Sequence, residues 1–305
     1  MFEQKEKYIN PFTDFGFKKL FGTEVNKDLL MDFLNEMLPC DDKIIEVNYL
    51  NPEILGRSET DRNAVFDIHC KTDKDDYFIV EMQKVKQKFF KDRSVFYASF
   101  PIQSQGVKGD WNYQLKAVYT VGVLNFVFHD DDPSYYHSEI KLMDTKKKTV
   151  FYDKLTFIYL EMPNFNKTID ELETRFDKWL YVLKHLPSFQ ELPKKLQEKI
   201  FKKVFKVAER AKMTLKEQVE YDDSLKRFRD LKGALDTAKE EGFIEGEVKG
   251  KIEGLKEGEM KKAIESAKKM LADEEPIEKI VKYTELTIEE IKSLKNELER
   301  TRVVK

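Results

Sequence analysis

The stretch AVFDIHCKTDKDDYFIVEMQK, residues 64–84, reads as two strands joined by a polar turn. Residues 64–71 and 77–84 are short runs rich in β-branched, aromatic and other apolar residues. Thr72, Asp73, Lys74, Asp75 and Asp76 between them supply turn chemistry, so the whole is a β-hairpin. With Lys71 facing Tyr77 across the turn, the same register puts Asp67 opposite Glu81. Side chains that face each other on antiparallel strands have Cβ atoms about 4.5–5.5 Å apart, and like charges placed there repel. A cation between them relieves the repulsion. The simplest occupant is a hard divalent ion, Mg or else Mn or Ca, held by carboxylate oxygens and keeping several waters for a phosphate substrate.

Strand alternation adds Gln83 to this face, because Ile79, Glu81 and Gln83 point one way and Phe78, Val80 and Met82 the other. The pattern is Asp, then Glu-x-Gln. Gln83 can orient a water through its amide but carries no positive charge. The same alternation is also what the solvent face of any half-buried sheet shows, so the hairpin alone leaves a metal site and a plain surface both open.

The flanking sequence carries a resemblance. NPFTDFGFKKLFG (residues 10–22), ETDRNAVFDIHCK (59–71), FIVEMQK (78–84) and FFKDRSVFYASFPIQSQ (89–105) together resemble the recombination-promoting nuclease (Rpn) and transposase family of the PD-(D/E)XK nuclease superfamily. The resemblance runs from about Tyr8 into the glycine-rich tail. It implies a restriction-endonuclease-like core and a metal-dependent DNA endonuclease linked to recombination or transposition. In that superfamily two acids hold a metal and a lysine orients the attacking water. Carried over, Asp67 and Glu81 are the metal ligands, and Gln83 stands where Lys is usual elsewhere, as Gln commonly does in this family. An acidic residue on the first helix of such proteins joins the metal shell, which points to Asp14. Read locally, Asp14 behind Thr13 is equally a first-turn acid facing the helix dipole, worth about 0.3–1 kcal/mol.

Along the chain, residues 14–38 form a helical stripe of apolar residues interrupted by Gly22 and ended by Pro39, which predicts two consecutive helices. Residues 44–50 alternate as a first strand. Residues 92–105 read as a helix with Val95, Phe96, Ser99 and Ile102 inward and a kink at Pro101. Residues 115–128 suit a buried strand. Helix, three strands, helix, strand is an α/β (α+β) order, followed from Ile169 by a helical extension with Trp179 in its core. Gly242, Gly246, Gly250, Gly254 and Gly258 then recur at a period of four. Each glycine inside a helix costs about 0.8–1 kcal/mol relative to Ala, so this segment reads as a self-associating or hinge-like helix. At the end, PIEKIVKYTELTIEEIKSL reads as two short helices, with Thr287 and Glu290 forming a capping box. The divisions are 1–168 for a nuclease-like core, 169–235 for the extension, 236–270 for the glycine repeat and 271–305 for a small helix-turn-helix-like segment. Glu289 and Glu290 at the start of the last helix suit a DNA-reading role poorly.

Composition bounds the partners. The 305 residues carry a net charge of -3, so DNA affinity has to come from local patches. The best patch follows Gln83: Lys84, Lys86, Lys88, Lys91 and Arg93, interleaved with Phe89 and Phe90. It also fits a charged strand exit and a solvated helix face. Lys146, Lys147 and Lys148 look like a hairpin tip, and the lysines of residues 194–206 like the outer face of an amphipathic helix. Asp61 reads as a solvated charge. Cys40 and Cys70 fit buried thiols, the four histidines are too dispersed for a zinc motif, and neither a signal peptide nor a membrane span is visible. These features predict a cytoplasmic protein. Three function classes follow: a DNA endonuclease, a catalytically inactive DNA-binding or assembly module that keeps the fold, and an interaction protein without DNA.

Overall fold

In the computed structural model, residues 6–38, 43–54, 64–128 and 132–303 are described; Pro39, Cys40, Asp61 and His129 lie outside them. The chain divides into two compact units, Met1–Asp230 and Leu231–Lys305. The first opens with α1 (Asp14–Phe21) and α2 (Lys27–Asn35), separated by the C-cap Gly22 and a short 3-10 turn (Glu24–Asn26). Strands follow: β1 (Val47–Tyr49), β2 (Glu53–Ile54), β3 (Ala64–Val65), β4 (Ile68–Thr72) and β5 (Tyr77–Gln83). Then come α3 (Phe90–Ser104), β6 (Val118–Leu124), β7 (His137–Asp144) and β8 (Thr149–Glu161). The unit closes with α4 (Arg175–His185), α5 (Lys199–Ala208) and the first turns of α6 (Leu215–Ala272).

Six strands form one mixed sheet in the order β1-β4-β5-β6-β8-β7. β4 and β5 are antiparallel with Lys71 opposite Tyr77 and Ile68 opposite Val80, so the register read from the hairpin holds. β5, β6 and β8 run parallel, which buries β6 on both faces and accounts for its continuous apolar sequence. The hairpin tip at residues 144–148 belongs to β7 and β8, and Lys148 adopts a left-handed turn there.

One face of the sheet carries the main core: Phe78, Val80 and Met82 pack with Phe17, Leu20 and Phe21 of α1 and with α2, α4 and α5. Trp179 is fully buried among Phe21, Phe33 and Phe201, as its sequence setting suggested, and its indole N–H donates to Asp32 at 2.8 Å. The other face, bearing Ile79, Glu81 and Gln83, is covered by α3 through smaller clusters around Phe66 and Phe90. It is therefore not a solvent face.

Two expectations need correction. The first hairpin strand does not run from Ala64: Ala64–Val65 pairs with Glu53–Ile54 in a separate two-stranded sheet. The chain crosses to the main sheet at Phe66 and Asp67, because Phe66 is buried beside Ile79 and Tyr97. On α3 the buried residues are Phe90, Ser94, Ala98 and Pro101, while Val95 and Phe96 face outward. The inward stripe lies one position away from the expected one, anchored by Phe90 against Phe126, Phe128 and Tyr159.

In the second unit, the last turns of α6 pack with α7 (Ile277–Thr284) and α8 (Ile288–Val303) through Ala267, Ile280, Leu286 and Ile291. The capping box is present: Glu290 accepts from the Thr287 N–H at 2.7 Å, and Thr287 Oγ1 accepts from the Glu290 N–H at 3.2 Å. Among the described residues no helix is long and apolar enough to cross a membrane.

Candidate active site

Asp67 sits in the bend that feeds β4, freed from the strand ladder by the crossing at Phe66. Its carboxylate accepts from the Met82 N–H at 2.8 Å, while its own N–H donates to Glu81 Oε1 at 3.3 Å. Each carboxylate is thus pinned by a backbone N–H of the opposite strand. Burial raises the Glu81 carboxyl to about 8, and the charge of Asp67 adds to the shift. Burial also raises Asp67; the Met82 N–H opposes this, and Asp14 pushes it further up. Two carboxylates in one poorly solvated place favour holding a proton or a cation between them. Gly122 lies beside Glu81 in the β5–β6 register, and a Cβ there would stand 2.8 Å from the ring of Tyr159, so glycine lets the strand and that ring approach each other.

The NPFT segment positions Asp14. The Phe12 N–H donates to Asn10 Oδ1 at 2.9 Å, the Thr13 hydroxyl donates to Asn10 O at 2.8 Å, and Thr13 Oγ1 accepts from the Gly16 N–H at 3.0 Å. Thr13 is the N-cap, and Asp14 opens α1. Asp14 pairs with Lys18 at 3.1 Å on a half-exposed surface, and its charge also reaches Asp67. The first-turn position facing the helix dipole is the one the cap gives Asp14.

Gln83 is buried and its amide has two partners. Its oxygen accepts from Arg93 Nη2, and its NH2 donates to Val85 O at 3.1 Å. One N–H and one lone pair remain. Arg93 also donates to Gln87 Oε1 at 2.7 Å and lies over the rings of Phe90 and Tyr97, 5.5 and 5.6 Å from their centroids. The cation missing from the strand therefore comes from α3, and its charge also reaches Glu81.

The basic row after Gln83 splits. Lys84 turns in, where burial lowers its pKa while Asp14 and Asp67 oppose the shift. Arg93 turns toward Gln83. Lys86, Lys88 and Lys91 stay exposed. Two cations near this cluster escaped the sequence reading: Lys18, signalled only by its i,i+4 spacing from Asp14, and Arg227 of α6, which nothing local to its segment marks. Both also act on Lys84. Asp14, Lys18 and Arg227 line one open cleft of about 600 Å³. Among the described residues no group of three or more His, Cys, Asp or Glu side chains is arranged to hold a metal; the pair Asp67 and Glu81 is what the strands bring together.

Comparison with known families gives a match over residues 11–238 to the family described as PD-(D/E)XK nuclease family transposase. No curated protein and no solved structure gives a significant match.

Proposed function

Because the chain belongs to the PD-(D/E)XK nuclease family transposases, we propose that it is a metal-dependent DNA endonuclease whose restriction-endonuclease-like core spans residues 1–168. The observation that carries this reading is the buried pair Asp67 and Glu81, each carboxylate tied to the other strand and both held above the ordinary range. Such a pair fits a hard divalent ion, Mg, Mn or Ca, since Mg is commonly held by one or two carboxylates plus substrate phosphates. When bound, the ion supplies Lewis acidity, lowering the pKa of a water and offsetting charge on the scissile phosphate. Asp67 and Glu81 release their proton to hold it, and Asp14 assists from α1. Gln83 positions the attacking water with its remaining N–H, fixed by Arg93. Lys84, Lys18 and Arg227 offer positive charge to the phosphates.

Plasmid nicking with Mg, Mn or Ca, compared with Asp67→Ala and Glu81→Ala, tests the proposal. Nicking falls to background in both variants; nicking that survives both overturns the site. The rival reading, a catalytically inactive DNA-binding or assembly module, is favoured by the lack of a third ligating side chain among the described residues. It predicts a wild type that binds DNA without cutting it under any of the three ions.

We also propose that residues 236–270 pair with a second copy of the chain. Ile244, Val248, Ile252 and Leu255 form one exposed apolar stripe on α6. Charges of both signs flank it, with Glu240, Glu241, Glu245 and Glu247 in the first half and Lys251, Lys256 and Lys261 interleaved with Glu253, Glu257 and Glu259 in the second, so a partner helix can set opposite charges beside the stripe. Sedimentation of the full chain reads a dimer that Val248→Lys dissociates; an unchanged mass overturns this pairing.

A further inference from the structure

We propose that the outer face of α3 is a cleft for unstacked nucleobases, so that the DNA presented to Asp67 and Glu81 is single-stranded or locally unpaired. This rests on the endonuclease reading and names its substrate more narrowly. Phe89 is 65% exposed and Phe96 is 43% exposed, although the helix has a complete inward stripe of its own in Phe90, Ser94, Ala98 and Pro101. Phe89 is the N-cap of α3 and Phe96 lies about two turns, roughly 10 Å, further along the axis, and both line one cleft together with Arg93. With Lys88 and Tyr97 they line an open cleft of about 660 Å³, to which Asp92 adds the one acidic side chain. That volume lies within the range of small-molecule sites, about 300–1,000 Å³.

Three features select a nucleic-acid strand over another apolar occupant. Cations accompany the rings: the Lys88 ammonium lies 5.4 Å from the Phe89 centroid, and the Arg93 guanidinium lies over Tyr97. The cleft adjoins the candidate active site, because Arg93 lines it and donates to Gln83. Lastly, exposed aromatic rings beside backbone-neutralising cations are what single strands use, since every unpaired base offers a π-face that a duplex keeps stacked. Phosphates follow Lys88 and Arg93 toward the carboxylates while neighbouring bases rest on Phe89 and Phe96.

Fluorescence anisotropy with the full chain in EDTA, where no cleavage occurs, tests this. The probes are a labelled single strand, the same length of abasic strand and the corresponding duplex. Wild type binds the single strand at least tenfold more tightly than the abasic strand. The double variant Phe89→Ala/Phe96→Ala loses that tenfold and changes less than twofold on the abasic strand and the duplex, whereas Phe89→Tyr/Phe96→Tyr keeps it. Both rings are exposed, and an unchanged melting temperature verifies folding. Equal affinity of wild type for the abasic and normal strands overturns the cleft while leaving the endonuclease reading intact. So does a double variant whose only loss is self-association, which would give the patch to a second copy. Wild type that binds none of the three probes also overturns the cleft, while the nicking assay, run with the ion, decides the endonuclease reading separately.

Discussion

Residues 64–84 and residues 242–258 both announce themselves by a repeat, of period two in the first and four in the second, yet the repeats are decided by different forces. In the strand pair each residue takes its meaning from distant neighbours: Glu81 from Asp67 and from α3, Gln83 from Arg93, Asp67 from the bend imposed by buried Phe66. In the glycine repeat nothing lies within 4 Å of where a Cβ would stand at Gly242, Gly246, Gly250, Gly254 or Gly258. Helix propensity is the main local force there, and it is unfavourable by about 0.8–1 kcal/mol per glycine. The region with the chemistry is over-determined by packing; the region without it is under-determined within one chain. One substitution, glycine to alanine, measures that difference directly.

The largest effect is expected at Gly16. A Cβ there would stand 2.1 Å from the Asn10 carbonyl oxygen and 2.7 Å from Thr13 Oγ1, the two groups that build the cap in front of Asp14. The backbone oxygen cannot give way as a side chain could. Gly16→Ala costs at least the about 1–3 kcal/mol typical of overpacking and dislodges α1 from the core. Thermal unfolding reads this as a lowered midpoint, with metal-dependent nicking lost alongside. A variant as stable as wild type would mean that the cap is not what holds α1.

The second effect sharpens the electrostatic half of the comparison. Burial and Asp67 raise Glu81 from the ordinary 4.5 to about 8, so the folded protein binds a proton that the unfolded chain has already released. A raised carboxylate contributes stability that is fully present below its unfolded value and is lost as pH rises through its folded one. Without a divalent ion, stability should therefore decline between pH 4.5 and about 8. Adding Mg should raise the melting midpoint more at the alkaline end than at the acidic end, because the ion needs both carboxylates ionised. In Glu81→Gln the decline across this window should flatten and the Mg response should vanish. A Mg response that persists in Glu81→Gln would move the ion elsewhere.

What was legible in the sequence follows the same division. The β4–β5 register could be read because turn chemistry and alternation fix it locally, and β6 because a parallel central strand is apolar throughout. The break at Phe66 could not, since it depends on a pocket made by Ile79, Tyr97 and Phe100. Nor could the outward turn of Val95 and Phe96, where two adjacent apolar stripes compete and the packing of Phe90 chooses between them. At the candidate site, Asp67, Glu81, Gln83 and Asp14 were reachable from spacing and from the family resemblance. Arg227 was not, because it approaches from a helix more than a hundred residues away along the chain. Long-range cations leave no local periodicity.

The smallest effect runs opposite to the first. At Gly250 the site of a new Cβ is empty, so Gly250→Ala meets no atom and removes only the conformational penalty of glycine. It should stabilise the helix by about 0.8–1 kcal/mol, seen as a gain in far-UV helical signal with nicking unchanged. The same variant also discriminates between two ways in which a second copy could sit on this helix. Association through Ile244, Val248, Ile252 and Leu255 tolerates the methyl, because Gly250 stands about 200° round the helix from Val248 and Ile252, on the face opposite that stripe, and the sedimenting mass stays that of a dimer. Association through the glycines themselves depends on close backbone approach and would be weakened by it. Loss of the dimer in Gly250→Ala, with Val248→Lys harmless, would transfer the contact from the apolar stripe to the glycine face.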